Sequence, residues 1–181
     1  MGEVNHNPFN VDVEDLAKAG LWQAAPYNFT FQSMKPAKKN VWRNNERTDE
    51  TYDVINCRLV ATERAIYDSD GNLESIEEMD PTKSRFHDFT IQGNGLKALN
   101  TAYKAVTGQA PQGVLNEETG RYAVDTLAIA EELVGSSAWN KVFHTEINDK
   151  GNIYDKITYT FTSNPPQRFG VQRKPAVEVT S

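Results

Sequence analysis

The sequence predicts a mainly β chain of the α+β kind, with five strands and helices inserted between the third and the fourth. Three observations carry this. Apolar and polar residues alternate over separate stretches, the period of a half-buried strand. One stretch, residues 96–106, instead repeats Leu96, Leu99, Tyr103 and Val106 at three- and four-residue spacing, which is the period of an amphipathic helix. Turn-forming clusters punctuate the stretches: Asp70-Gly71, Gly93-Asn94-Gly95 and Asn148-Asp149-Lys150-Gly151-Asn152. The 181 residues suit one domain and bury a core without covalent staples.

Each element follows from its own residues. Residues 1–25 read as a lead-in, in which Asp12 caps a short helix over residues 13–19 and Gly20 ends it. The folded domain spans residues 26–163. Its first strand alternates Tyr27, Phe29 and Phe31 with Asn28, Thr30 and Gln32, and Pro36 is expected to stop it. Residues 35–50 then read as a polar loop. The second strand begins near Tyr52, with Ile55, Cys57, Leu59 and Ala61 on one face. Asp70-Gly71 turns the chain into an acidic segment, Asp68 to Asp80, expected as a solvated hairpin tip or loop. The third strand, residues 85–92, carries Phe86, Phe89 and Ile91. The amphipathic helix ends at Gly108, residues 109–124 form a loop insertion, and Asp125 caps a second helix closed by Gly135. Residues 138–147 and 153–162 make the last two strands, with Ile157, Tyr159 and Phe161 toward the core and Thr158, Thr160 and Thr162 outward. Pro165-Pro166 ends the sheet, and residues 164–181 read as an extended or disordered tail. This element order is that of a five-stranded OB-like barrel with its helices between strands 3 and 4. A mixed sheet of another topology gives the same order.

Composition narrows the function classes. No apolar run approaches the ~20 residues of a membrane-spanning helix. The first ten residues lack both a basic start and an apolar stretch, so no secretory signal is expected, and His6 stands where myristoylation after Gly2 wants Ser or Thr. The single cysteine, Cys57, excludes an internal disulfide and a multi-cysteine zinc site. These features point to a cytoplasmic protein. A net charge of −6 argues against coating duplex DNA through overall charge, so the question is where positive charge concentrates.

It concentrates in residues 35–47. Lys35, Lys38, Lys39, Arg43 and Arg47 stand against one acid, Glu46, with Trp42 in their midst. Basic side chains neutralise phosphates and an exposed aromatic stacks on an unpaired base. The bland alternative is a solvated loop whose Trp42 folds back on the sheet. A second basic segment, with Arg168, Phe169, Arg173 and Lys174, reads as an arm over the same groove or as an ordinary soluble tail. Arg58 and Arg64 on the second strand, and Lys83 and Arg85 at the third, extend the patch or are ordinary surface charge.

Other motifs do not complete. In Asp68-Ser69-Asp70-Gly71-Asn72 the glycine is misplaced for a calcium loop, and Met79 stands where a bidentate Glu is needed. Asn28-Phe29-Thr30 matches a glycosylation sequon but falls within a strand. His6, His87 and His144 are scattered, and His144 with Glu146 supplies too few ligands for a metal. His87-Asp88 lacks partners for acid–base work. Cys57 reads as a buried, inert thiol. No enzyme activity, metal or cofactor is expected.

With strands and basic segment placed, the chain resembles a family of small phage-encoded OB-fold proteins associated with single-stranded DNA. The residues are Asn7-Pro8-Phe9-Asn10-Val11, Tyr27-Asn28-Phe29, Gly95-Leu96-Lys97-Ala98-Leu99, Glu132-Leu133-Val134-Gly135, Trp139-Asn140-Lys141-Val142 and the Gly151–Tyr154 hairpin. The resemblance implies support of phage DNA replication, recombination or repair in the host cytoplasm, with single-stranded DNA, and replication or recombination proteins, as partners. Members often carry a strongly acidic C-terminal tail that recruits enzymes. Residues 175–181 here, PAVEVTS, depart from it. The expectation is therefore a sequence-tolerant single-stranded DNA-binding protein. Five phosphate contacts would give a log–log salt slope of roughly −3.5. Alternatives from other classes are a protein-interaction or virion-associated module anchored by Trp42, an inhibitor of a host defence enzyme, and a metal-dependent nuclease.

Overall fold

The computed structural model describes residues 10–170. Its spine is one long antiparallel hairpin, β1 (Ala25–Arg43) against β2 (Glu46–Tyr67), in register from Tyr27↔Arg64 to Arg43↔Glu46. Register shifts fall between Asn28 and Phe29, between Phe31 and Ser33, and between Asn40 and Trp42, and such bulges let so long a ladder bend and coil. The far edge of β2 is covered in two pieces, by β4 (Ser84–Thr90) along residues 54–60 and by β3 (Leu73–Glu78) along residues 63–67. The far edge of β1 takes β7 (Ser137–His144) along residues 25–30, and β7 takes β8 (Asp155–Ile157). The chain is thus mainly β, with one antiparallel six-stranded sheet and three helices among the described residues. None of those helices is long and apolar enough to cross a membrane.

The core lies on the face that α2 (Gly93–Thr107) and α3 (Thr126–Leu133) cover. Phe29, Phe31, Leu59 and Phe89 meet Leu99, Ala102, Ile129 and Leu133 there, all buried. Phe161 stacks 5.4 Å from Phe31 and 6.1 Å from Phe89. Asp125 caps α3 by accepting from the Leu127 and Ala128 amides at 3.0 and 3.2 Å, as its position predicts. The lead-in helix α1 (Val13–Lys18) is capped by Asp12.

Several expectations need correction. Pro36 does not stop the first strand. It pairs with Ile55 at a point where β1 has lost its β7 neighbour, so the missing N–H breaks no two-sided ladder. Residues 35–50 are therefore not a loop: both strands run on to a two-residue turn at Asn44-Asn45. Both asparagines have positive φ (51° and 65°), the conformation of a type I′ hairpin turn. The insertion at 109–124 contains a small exposed hairpin, β5 (Val114–Asn116) with β6 (Arg121–Ala123). The acidic segment after Asp70-Gly71 contains β3, so it is a hairpin strand and not only a tip.

The last strand is short because a side chain takes its place in the ladder. Buried Asn140 donates from Nδ2 to the Thr158 carbonyl at 3.0 Å and accepts the Thr158 amide at 3.0 Å. Beyond that interruption Phe161 is buried, but Tyr159 is half exposed and not a core residue. Nor does a barrel close: among the described residues no ladder joins β4 to β8. Arg85 Nη1 and Asp155 Oδ1, 3.3 Å apart, bridge that seam with side chains instead.

The segment after Pro165-Pro166 is docked as far as it is described. Leu73 donates its amide to the Gln167 carbonyl at 2.9 Å, and Phe169 donates to the Gly71 carbonyl at 3.0 Å.

Candidate nucleic-acid interface

Beyond residue 37 on β1 and residue 54 on β2, the hairpin leaves the sheet as a two-stranded ribbon with no other strand on either edge among the described residues. At its end Trp42 lies directly across the ladder from Arg47 and is 65% exposed. The folded-back Trp42 is thereby excluded. Leaving most of an indole exposed forgoes a large part of a burial worth about 2–3 kcal/mol.

The ribbon also brings acids that the 35–47 window did not contain. The returning strand carries Asp49, Glu50 and Asp53, so residues 35–53 hold five basic and four acidic side chains, a net of 5 − 4 = +1. Lys38 pairs with Asp53 at 2.8 Å, Arg43 with Glu50 at 2.7 Å, and Lys39 with Asp88 of β4 at 3.1 Å. Lys38–Asp53 and Arg43–Glu50 are exposed to solvent, so they are weak and exchangeable, and Lys39–Asp88 is half-exposed. Lys35 and Arg47 have no ion pair among the described residues.

Behind the ribbon, strand alternation sorts the other candidates. Arg58 points away from the core, since its neighbours Cys57 and Leu59 are buried. It sits between Ser33 of β1 and Phe86 of β4 in the register. Its Nε donates to Ser84 Oγ at 3.3 Å, and no carboxylate pairs with it among the described residues. Phe86 is 68% exposed, whereas Phe89 of the same strand is fully buried. Positions 86 and 89 differ by an odd number, so a strand points them to opposite faces. Tyr52, across from Lys39, is likewise exposed.

Arg85 is a correction. It pairs in register with buried Leu59, which gives it the core phase, and only 15% of its side chain is exposed. Burial pushes its guanidinium below the usual value, and Asp155 offsets part of that. Arg85 and Lys83 both lie over the Trp22 ring, at 5.8 and 4.8 Å, while the Trp22 amide donates to Asp155 at 3.0 Å. Arg85 is therefore a bolt across the seam. Arg64 is likewise engaged, with Glu77 at 2.6 Å.

Arg168 and Phe169 do not lie over the ribbon. They sit at the opposite end of β2, where Phe169 packs 5.5 Å from Tyr67 and Arg168 donates to the Asp70 carbonyl at 3.2 Å. A cavity of about 870 Å³ opens there, lined in part by Arg64, Asp68, Asp70 and Arg168. Arg173 and Lys174, the rest of the expected arm, lie outside the described residues.

Cys57, Asp68, His144 and His87 are held by structural contacts. Cys57 is fully buried and burial pushes its thiol up to about 12. Asp68 accepts the Asp70 and Asn72 amides as a turn carboxylate, and the Asn72 bond leads in holding it below its usual range. His144 Nε2 lies 2.7 Å from the Trp22 carbonyl. No cluster of three or more metal-ligating side chains occurs among the described residues.

His87 packs edge-on against Phe89 at 4.7 Å, and burial, then the Arg85 charge, lowers it from 6.5 to about 4. Between those values the unfolded chain binds the proton and the folded chain does not. Its contribution is therefore intact above about pH 6.5 and is lost as pH falls toward 4, by about 3 kcal/mol in all. The His87→Gln variant is expected to lose less stability between pH 7 and pH 4 than the parent, measured by urea midpoint. An equal loss would assign the acid sensitivity to the carboxylates.

No protein-family model matches the chain, and no curated protein matches it.

Proposed function

We propose that this protein binds single-stranded DNA without base specificity and without catalysis, using an open, OB-like sheet and its protruding ribbon. The observation that carries the reading is the exposed Trp42 held opposite Arg47 at the end of the ribbon. An indole that can stack on any base, next to a cation that can meet any phosphate, suits a sequence-tolerant single-strand site. Lys35 and Arg58 supply further positive charge with no ion pair among the described residues, while Lys38, Lys39 and Arg43 would have to exchange carboxylates for phosphates. On the same reading its place is the host-cell cytoplasm and its partners are replication, recombination or repair enzymes, which rests on the family resemblance.

The ion pairs revise the expected salt dependence. With only Lys35, Arg47 and Arg58 releasing counterions, the log–log slope should be about −2 and not −3.5, at roughly −0.7 per contact. The double variant Lys35→Glu, Arg47→Glu should bring the slope toward −0.7. Binding that ignores salt would contradict phosphate contact.

One observation favours a second reading, a protein-interaction module: the ribbon is almost neutral and carries four acids. In that case Trp42 anchors a protein and the same titration shows no DNA binding.

A further inference from the structure

The outer face of β1, β2 and β4 offers a second place for a base. Phe86 stands exposed there, directly across from Arg58, which in turn stands across from Ser33. The next row is Lys35, Asn56 and Asp88. Asp88, the one carboxylate in these two rows, is already occupied: Asn56 Nδ2 donates to its Oδ1 at 2.6 Å and Lys39 meets its Oδ2 at 3.1 Å. The two rows therefore present an uncovered phenyl ring beside Arg58 and Lys35, which have no ion pairs among the described residues. That surface is complementary to an unpaired base and its flanking phosphates.

This arrangement repeats the one at the ribbon tip, an exposed aromatic opposite an arginine. Nine residues of β1 separate Trp42 from Ser33, roughly 30 Å at about 3.3 Å per residue. A strand at the spacing of about 3.4 Å per phosphate needs roughly nine nucleotides to cover that distance, and an extended strand needs fewer. The edge of β1 between the two places carries no other strand among the described residues.

We propose that Phe86, with Arg58 as its phosphate contact, is a second base-stacking site, and that one single strand must reach both Phe86 and Trp42 to bind tightly. The proposal rests on the single-strand reading and adds a length requirement to it. Once a strand is held at one site, its arrival at the other is intramolecular, so affinity climbs with length as soon as the span is covered.

The test is anisotropy with labelled oligothymidines of about 4, 8 and 16 nucleotides, on the full chain. The parent protein should gain at least roughly tenfold in affinity from the shortest to the longest, beyond the statistical gain in sites. Phe86→Ala should lose most of that gain for the longest strand and bind the shortest strand nearly as the parent does through Trp42. Phe86 is exposed, so the variant should fold, which circular dichroism checks. A Phe86→Ala protein that binds the longest strand as tightly as the parent overturns the second site while leaving the first intact. A parent protein that binds no length overturns the single-strand reading and the second site with it.

Discussion

Replacing Trp42 with alanine is expected to weaken single-strand binding by roughly 5- to 150-fold, the equivalent of about 1–3 kcal/mol for one stacked base. Stability should hardly change, because the side chain is two-thirds exposed on a ribbon with no core of its own. Fluorescence gives a direct reading. Of the three tryptophans, Trp139 is buried and Trp22 is packed against Tyr27 and Phe29, so quenching by bound bases should come chiefly from Trp42. Trp42→Ala should abolish most of the quench, while Trp42→Phe should retain most of the affinity because a phenyl ring still stacks. If Trp42→Ala binds as well as the parent, the ribbon tip is not the contact.

The largest effect on folding is expected at Gly95, where α2 starts against the end of β4. A methyl group there would overlap Thr90 Oγ1 and the backbone nitrogen and oxygen of the same residue, all well inside 3.0 Å. Two of the three are backbone atoms of the strand terminus, so no side-chain rotation relieves the overlap. Gly95→Ala should cost about 3 kcal/mol or more, at the upper end of overpacking, and lower the urea midpoint accordingly. Gly108→Ala is the comparison: φ there is +76° with nothing within 4 Å, so only the backbone preference is lost, about 1 kcal/mol. Equal losses at the two positions would mean that the close approach of α2 to β4 is not a constraint.

Much of the fold was legible because each element carries its own local signal. The alternation at Tyr27, Phe29 and Phe31, the helix spacing from Leu96 and the Asp125 cap all depend on neighbours in sequence, and all three have their structural counterparts. The ribbon was not legible in the same way. Pro36 carries a strong local signal for breaking a strand, and only the absence of a neighbour on that edge makes it harmless. Asn44-Asn45 was the overlooked clue, since asparagine tolerates the left-handed region that a two-residue turn requires.

The site residues divide along the same line. Counting charge along residues 35–47 found the basic strand but not the acids that the returning strand sets beside it, because Lys38–Asp53 and Arg43–Glu50 exist only once the register is known. Arg85 reads from the sequence as part of the patch or as surface charge, because its core phase follows only from pairing with Leu59. Phe86 and Phe89 lie an odd number of positions apart, which puts one outside and the other in the core. The short β8 depends on the Asn140 side chain bonding to Thr158 across 18 residues, for which no local pattern exists.

The most direct measurement of the central claim is fluorescence anisotropy with a labelled single strand, titrated at low and high salt with unlabelled duplex as competitor. Salt-sensitive binding that the duplex fails to displace is the predicted result, because stacking at Trp42 requires an unpaired base. No binding at micromolar protein in low salt, or complete displacement by duplex, would contradict it.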